Sequence, residues 1–255
     1  GASGISIGKT IAKHFFEAGA KVAVCSHNEE RIMLAAKEIG ETDPERMFAM
    51  EADTSDIESI RRFAGAVLEH YGKIDIWVNN AGIHFPKPSL EVTPEDWNNT
   101  VDVNLRGYFF GAQAAAGYMI ENGGGSIINI SSLAARCGTV GASTLYGPLK
   151  SAVIKLAVSF AGEYAAYGVR VNSVLPGFTA TPAVAANIKP DYLKRNADDT
   201  LLRRVAVPEE IAAPVVFLCS SRASYITGTS LEVSGGRSIV LNPEYSYVKK
   251  EGEQA

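Results

Sequence analysis

The sequence predicts an α/β fold: one doubly wound parallel sheet with helices on both faces. Short apolar runs alternate with segments whose apolar residues recur at helical spacing, as in repeated βα units. The length of 255 residues suits a single domain, 1–255, with a substantial core. We therefore expect all elements to belong to one sheet and its flanking helices.

The first half of the chain begins with a glycine-rich turn, residues 1–8, that opens a helix. Because such a turn normally follows a strand, we expect a short strand before Gly1, in the middle of a sheet of about seven strands. Asn28 predicts the start of a second helix, and Ser55 with Glu58 predicts a capping box at the start of a third. Strands are predicted at residues 21–25, 47–52, 74–78, 126–130, 169–175 and 230–233.

In the second half, Thr93 begins a helix that is expected to run unbroken to about Met119. The helix at 146–164 is apolar on much of its circumference, which favours burial against a partner subunit. Residues 178–205 are less periodic and too many for a plain connection, so they are predicted to form a substrate-binding lid. Residues 242–255 are a polar tail.

Composition excludes several classes of partner. The net charge is −4 and no basic run occurs, so we expect neither nucleic acid nor an anionic membrane. Three cysteines lie far apart, which favours a reducing cytoplasm over a disulfide framework. The four histidines lack ligand spacing, so no metal site is predicted. No stretch has the length and apolar character of a membrane span.

Tyr146 and Lys150 form the predicted chemical centre. Four residues apart on a helix, they lie on one face, where an ammonium can lower the pKa of a phenol and make it a general acid/base. Ser132 follows the strand 126–130, and its hydroxyl could hold a carbonyl oxygen. A tyrosine and a lysine at this spacing are also common on solvated helices, so the pair alone does not decide the matter.

A phosphate site is predicted at the glycine-rich turn. Glycine lets backbone amides approach a phosphate, and a helix N-terminus favours negative charge. The residues concerned are Gly1, Ser3, Gly4, Ser6, Ile7 and Gly8. The following strand ends at Ser26, His27 and Asn28, where a dinucleotide-binding fold meets the adenosine ribose.

Taken together with Asp53, the run 79–82, Asn104 and the pair 176–177, these motifs resemble the short-chain dehydrogenase/reductase family over essentially the whole chain. The resemblance implies a Rossmann-like fold, a nicotinamide dinucleotide and interconversion of a secondary alcohol and a ketone. Tyr146 would be the proton donor or acceptor, with catalytic support from Asn104, Ser132 and Lys150. The remaining residues implied for the cofactor are Asp53, Thr54, Asn80, Ala81, Gly82, Pro176, Gly177, Thr179 and Thr181.

Two of these assignments have plain alternatives: Asn80 as a structural turn residue and Thr181 as an ordinary loop threonine. The chain also departs from the family pattern in its first loop, where one extra residue separates Gly1 from Gly8 and Ser6 replaces the middle glycine. The phosphate loop is therefore expected to be reshaped.

The cofactor is predicted to be NADP(H), with NAD(H) as the alternative. An NAD-preferring site usually carries a carboxylate after the second strand, and Ser26 stands there instead. Ser26 and Asn28 can donate hydrogen bonds to a phosphate, and we expect the preference to strengthen as pH falls and His27 gains charge. Against NADP, the turn lacks a basic residue, and Lys9 lies just past it.

The substrate is left open by the sequence. Residues 224–236 and the tail look like bacterial hydroxysteroid dehydrogenases, whereas much of the rest is shared with sugar and polyol dehydrogenases. A 3-oxoacyl-(acyl carrier protein) reductase and an inactive cofactor-binding sensor or scaffold are the alternatives. The resemblance implies a homotetramer, or else a homodimer, because subunits of this family associate by pairing their two long helices.

Overall fold

The computed structural model describes residues 6–84, 86–138, 144–181 and 189–240. Within these ranges the strands are β1 Val22–Ser26, β2 Met47–Glu51, β3 Ile76–Asn79, β4 Gly125–Ile130, β5 Val169–Pro176 and β6 Ser230–Val233. They pair in parallel as two groups, β1-β2 and β3-β4-β5-β6. The predicted α/β class with a parallel sheet is confirmed, and the predicted strands are right to within two residues at each end.

In the described ranges the α-helices are α1 Ile7–Glu17, α2 Glu29–Ile39, α3 Ile57–Tyr71, α4 Pro94–Val101, α5 Gly107–Glu121, α6 Tyr146–Tyr164, α7 Pro190–Asp198 and α8 Pro208–Cys219.

Asn28 caps α2 as predicted, by accepting a hydrogen bond from the amide of Arg31. The predicted capping box at Ser55 is wrong. Asp56 caps α3, because its carboxylate reaches two amides of the first turn, and Ser55 bonds Asp53 instead. None of the described helices is long and apolar enough to cross a membrane.

Helices cover both faces of the four-stranded group. Successive residues of β4 point to opposite faces: Ile127 packs in a core with α3, α5 and α6, and Ile128 packs in a core with α1 and α8. Both side chains are fully buried. This explains why β4 is buried along nearly its whole length, since a parallel strand between two helical layers has no solvent face.

The neighbouring edges of β1 and β3 are not paired. A cavity of about 530 Å³ lies between them, lined by residues of both strands and by side chains of α1 and α3. This is the position at which the sequence predicts a further strand in the middle of the sheet. The cavity lies between sheet edges rather than over Tyr146, so we do not assign it to the substrate.

The predicted long helix after Thr93 is interrupted. α4 ends at Val101, a π-helical turn spans Asp102–Arg106, and α5 begins at Gly107. The wider turn directs Asn104 inward, where its side-chain amide binds both backbone polar groups of Ile83. Interruptions of this kind are frequent at functional sites.

The predicted lid contains more regular structure than its sequence suggests. Thr179 forms a β-bridge with Ala206, and α7 lies between these two positions. Residues 182–188 of the lid and the tail 242–255 lie outside the described residues.

Candidate active site

Tyr146 is the first residue of α6, and Ser132 lies just beyond the end of β4. The Ser132 hydroxyl accepts a hydrogen bond from the amide of Ala134 (3.2 Å), which fixes the short turn that follows. Burial raises the pKa of Tyr146, and a hydrogen bond with Ser132 partly opposes this shift. The two hydroxyl groups therefore lie close enough to contact one substrate oxygen together.

Lys150 lies one helical turn after Tyr146 and is only 2% exposed. Its Nζ donates to the Tyr108 hydroxyl (2.9 Å) and to the carbonyl oxygen of Ile130 (3.0 Å). Nζ is 5.7 Å from the centre of the Tyr146 ring. Burial lowers the pKa of Lys150 to about 7.

The sequence predicts that Lys150 lowers the pKa of Tyr146. In the structure the pKa of this phenol is raised instead. Two physical causes account for the difference. Burial disfavours the phenolate, and the same burial disfavours the ammonium that would have stabilised it. Helical spacing brings the two residues together, but the lysine Nζ is held by groups deeper in the fold.

Asn104 joins this centre from the π-helical turn. It is fully buried, and its amide donates to the Ile83 carbonyl (2.8 Å) and accepts from the Ile83 amide (3.0 Å). A Cβ atom added to Gly82 would lie 3.0 Å from Asn104 Oδ1 and 3.5 Å from Lys150 Nζ. The loop after β3 therefore runs directly beside the predicted catalytic residues.

Asn80, Ala81 and Gly82 follow β3, and Pro176 and Gly177 end β5. The carboxyl ends of parallel strands meet at one edge of a sheet, which is where such folds bind dinucleotides. The amide of Gly177 donates to the Val233 carbonyl (2.9 Å), which ties this edge to β6. At Gly82 the backbone passes so close to Asn104 that a side chain would be crowded.

Thr179 and Thr181 continue from this edge toward the lid. The Thr179 hydroxyl donates to the Gly177 carbonyl (3.1 Å), and the Thr181 amide donates to the Thr179 carbonyl (3.0 Å). Thr179 is buried, whereas Thr181 is partly exposed. The segment therefore leaves the sheet as a tight turn.

At the phosphate end, Gly1, Ser3 and Gly4 lie outside the described residues. Ser6 caps α1 by accepting a hydrogen bond from the Lys9 amide (3.3 Å). Ile7 and Gly8 form the first turn of α1, and the N-terminus of a helix favours negative charge such as that of a phosphate. The ammonium of Lys9 pairs with Glu38 on α2, so it is directed away from this helix end.

At the adenosine end, Ser26 is 5% exposed and its hydroxyl accepts from the Asn28 amide (3.3 Å). His27 is exposed and Asn28 partly exposed. Asp53 accepts from the amide (2.8 Å) and the hydroxyl (2.7 Å) of Ser55, and Thr54 is partly exposed beside it. The inward Ser26 leaves His27 and Asn28 as the nearer groups for a ribose or its phosphate.

Two residues next to the centre were not predicted. Tyr108, fully enclosed in the core, bonds Lys150, and the His84 ring contacts the edge of the Tyr146 ring at 5.2 Å between centroids. Burial lowers the pKa of His84. In sequence, Tyr108 looks like one more core residue of α5, and the only available signal is its position four residues after Asn104.

Known proteins of one family resemble this chain over most of its length. The family described as "Enoyl-(Acyl carrier protein) reductase" matches residues 1–238. L-rhamnose-1-dehydrogenase of Scheffersomyces stipitis is 39% identical over 90% of this chain and 91% of its own. A solved "short chain dehydrogenase/reductase family protein" is 37% identical, with a TM-score of 0.80 over 92% of this chain and 93% of its own.

A further solved structure is "7 alpha-hydroxysteroid dehydrogenase complexed with NADH and 7-oxo glycochenodeoxycholic acid". It is 34% identical, with a TM-score of 0.85 over 92% of this chain and 91% of that one. The chain belongs to the short-chain dehydrogenase/reductase family. It is an oxidoreductase that acts on CH–OH groups, and its family uses NAD(P)(H).

Proposed function

We propose that the protein interconverts a secondary alcohol and a ketone of the sugar or polyol class, with Tyr146 as the general acid/base. One observation carries the proposal: Tyr146, Ser132, buried Lys150 and buried Asn104 meet beside the loop after β3. The groups that the chemistry needs come from three separate parts of the chain: the π-helical turn, the end of β4 and α6. Their convergence supports a working site over an inactive binding protein.

The contacts of each residue indicate its role in the reaction. Tyr146 gives its proton to the carbonyl oxygen during reduction and takes the alcohol proton during oxidation. Ser132, hydrogen-bonded to Tyr146, orients the same substrate oxygen. A nicotinamide held beside this centre would supply or accept the hydride. Lys150 provides a positive charge beneath the site, and Asn104 fixes the loop at Ile83 that borders the cofactor cleft.

Polar side chains beside Tyr146 favour a polar substrate such as a sugar or polyol. Lys87, Asp96 and Thr144 border the tyrosine, and Lys87 pairs with Asp96 at 2.6 Å. The similarity to L-rhamnose-1-dehydrogenase points the same way. A hydroxysteroid is the second candidate, supported by the hydroxysteroid dehydrogenase structure.

The test is a panel of aldoses, polyols, hydroxysteroids and 3-oxoacyl thioesters, each assayed with both cofactors. We expect the highest kcat/KM for an aldose or polyol. A steroid or thioester with a tenfold higher value would replace the proposed substrate class. Cofactor binding by fluorescence without turnover of any panel member would favour the sensor or scaffold.

We propose NADP(H) as the preferred cofactor, because β1 ends in Ser26, where an NAD-preferring site usually carries the carboxylate that repels a 2′-phosphate. We also propose a cytoplasmic location; the free thiols of Cys25 and Cys219, whose pKa burial raises to about 11, would stay reduced there.

A homotetramer, or else a homodimer, is proposed from the outer faces of α5 and α6. Phe109 and Val158 are exposed there to 36% and 40%, and the Phe109 ring lies 5.2 Å from that of Phe160. Covering these apolar groups would favour association. Sedimentation that shows a monomer at micromolar concentration would contradict it.

A further inference from the structure

Tyr108 forms a closed set of hydrogen bonds with Lys150. Its hydroxyl donates to the carbonyl oxygen of Ile130 (2.9 Å) and accepts from Lys150 Nζ (2.9 Å). Nζ also donates to that same carbonyl oxygen (3.0 Å). Three elements, α5, α6 and the end of β4, are thereby joined around one ammonium group.

We propose that Tyr108 is a positioning residue of the active site, whose hydroxyl holds the Lys150 ammonium at the end of β4 and so determines the charge that Tyr146 experiences. The inference rests on the proposed roles of Tyr146 and Lys150. It adds a residue that acts through Lys150 and touches neither substrate nor cofactor.

Tyr108 cannot exchange the proton itself. Burial, and then the nearby Tyr146, raise its pKa well above the ordinary value, so the hydroxyl stays neutral at every working pH. Its proton is committed to Ile130 and its lone pair to Lys150. The group therefore acts as a fixed dipole whose oxygen faces the ammonium.

This dipole matters because few groups stabilise the charge of Lys150. The groups that face Nζ are the Ile130 carbonyl at the end of β4, Tyr108 of α5, Tyr146 of α6 and the uncharged Asn104 of the π-helical turn. Within that turn, Asp102 and Arg106 pair with each other at 3.1 Å. Burial is the cause of the lowered pKa of Lys150, so each acceptor that remains in contact with Nζ carries weight.

Removing the hydroxyl should therefore weaken the charge on Lys150 and make Tyr146 harder to deprotonate. Tyr108→Phe removes it and keeps the ring, whose centre lies 4.5 Å from Nζ. Tyr118→Phe is the matched control: Tyr118 lies on the same helix, and its hydroxyl donates to the Gly72 carbonyl (2.7 Å), remote from Lys150.

The measurement is kcat/KM for alcohol oxidation across the pH range for the parent and both variants. For Tyr108→Phe we expect the apparent pKa to rise by about one pH unit and the rate near neutral pH to fall about tenfold, the size of one hydrogen bond to a charged group. For Tyr118→Phe we expect the parent profile. Tyr108→Met, also without a hydroxyl but adaptable in packing, serves if the Phe variant does not fold.

A folded Tyr108→Phe with the pH profile of the parent would overturn the inference, even if its rate were lower, because a pure packing role does not move an apparent pKa. Tyr146→Phe is assayed in parallel. If Tyr146→Phe keeps turnover, the proposed general acid/base is wrong; if it loses turnover and Tyr108→Phe keeps the parent profile, only the role of Tyr108 fails.

Discussion

The two ends of the proposed cofactor cleft are built differently. At the proton-transfer end, Lys150 and Asn104 are buried, and their side-chain donors bind neighbouring elements. At the adenosine end, His27 is exposed, and the side-chain oxygen of Asn28 caps α2 by accepting a hydrogen bond from the Arg31 amide. At the proton-transfer end the side chains are held by contacts with neighbouring elements, whereas at the adenosine end an exposed side chain is left to contact a ligand. We therefore expect large, specific losses from changes at the first end and graded shifts in preference at the second.

Tyr146→Phe should have the largest effect. It removes the hydroxyl that moves the proton and keeps the ring, so turnover should fall by ~10²–10⁴-fold, the usual size of a positioned proton transfer. Cofactor affinity, measured by fluorescence titration, should stay within about twofold. Tyr164→Phe, at the other end of α6, is the control and should be near the parent. Turnover of Tyr146→Phe within severalfold of the parent would remove this tyrosine from the chemistry.

Lys150→Met tests the proton-transfer end through its effect on the free energy of unfolding. The pKa of Lys150 is about 7 in the fold and 10.5 unperturbed, so between these values the unfolded chain binds more protons than the folded one. The parent's free energy of unfolding therefore gains a contribution that rises with pH from about 7 to about 10. Met lacks this titration, so we expect the variant to lose turnover and cofactor affinity and to be the more stable protein near pH 7.

The stability advantage of Lys150→Met should shrink by about 1.4 kcal/mol per pH unit, or about 2–3 kcal/mol from pH 7 to pH 9. Denaturant unfolding at both pH values measures it. Lys155→Met, on the same helix, is a control that should show no such trend, because Lys155 is exposed. A pH-independent difference for Lys150→Met would mean that Lys150 is not the buried, weakened base described above.

Sequence patterns predict the fold and most of the proton-transfer end, because both depend on the periodicity of strands and helices. Alternating strands and helices predicted the parallel sheet, and a four-residue spacing placed Tyr146 beside Lys150. They did not predict where Lys150 Nζ points, since its partners Tyr108 and Ile130 lie 42 and 20 residues away in sequence. The π-helical turn was missed for a related reason: one extra residue per turn barely alters an apolar pattern.

Gly82→Ala tests the junction of the two ends. The added methyl group would lie 3.0 Å from Asn104 Oδ1 and 3.5 Å from Lys150 Nζ, so it should displace the amide or narrow the cleft. We expect kcat/KM to fall by roughly tenfold to a hundredfold, as a small misplacement of reacting groups can produce. Gly117→Ala, where the methyl would meet nothing within 4 Å, should keep full activity. Equal activity of both variants would show that Gly82 does not border the reacting groups.

The smallest expected effect lies at the adenosine end. β1 ends in Ser26 rather than a carboxylate, and Lys9 pairs with Glu38, so we expect His27 and Asn28 to discriminate between the cofactors. A histidine ring and an asparagine amide can each donate a hydrogen bond to a phosphate oxygen, so we expect kcat/KM to favour NADP by up to about tenfold, roughly 1.4 kcal/mol. His27→Ala removes the ring donor and should lower this preference severalfold. A tenfold preference for NAD in the parent, or an unchanged ratio in His27→Ala, would show that the end of β1 does not recognise the ribose phosphate in this way.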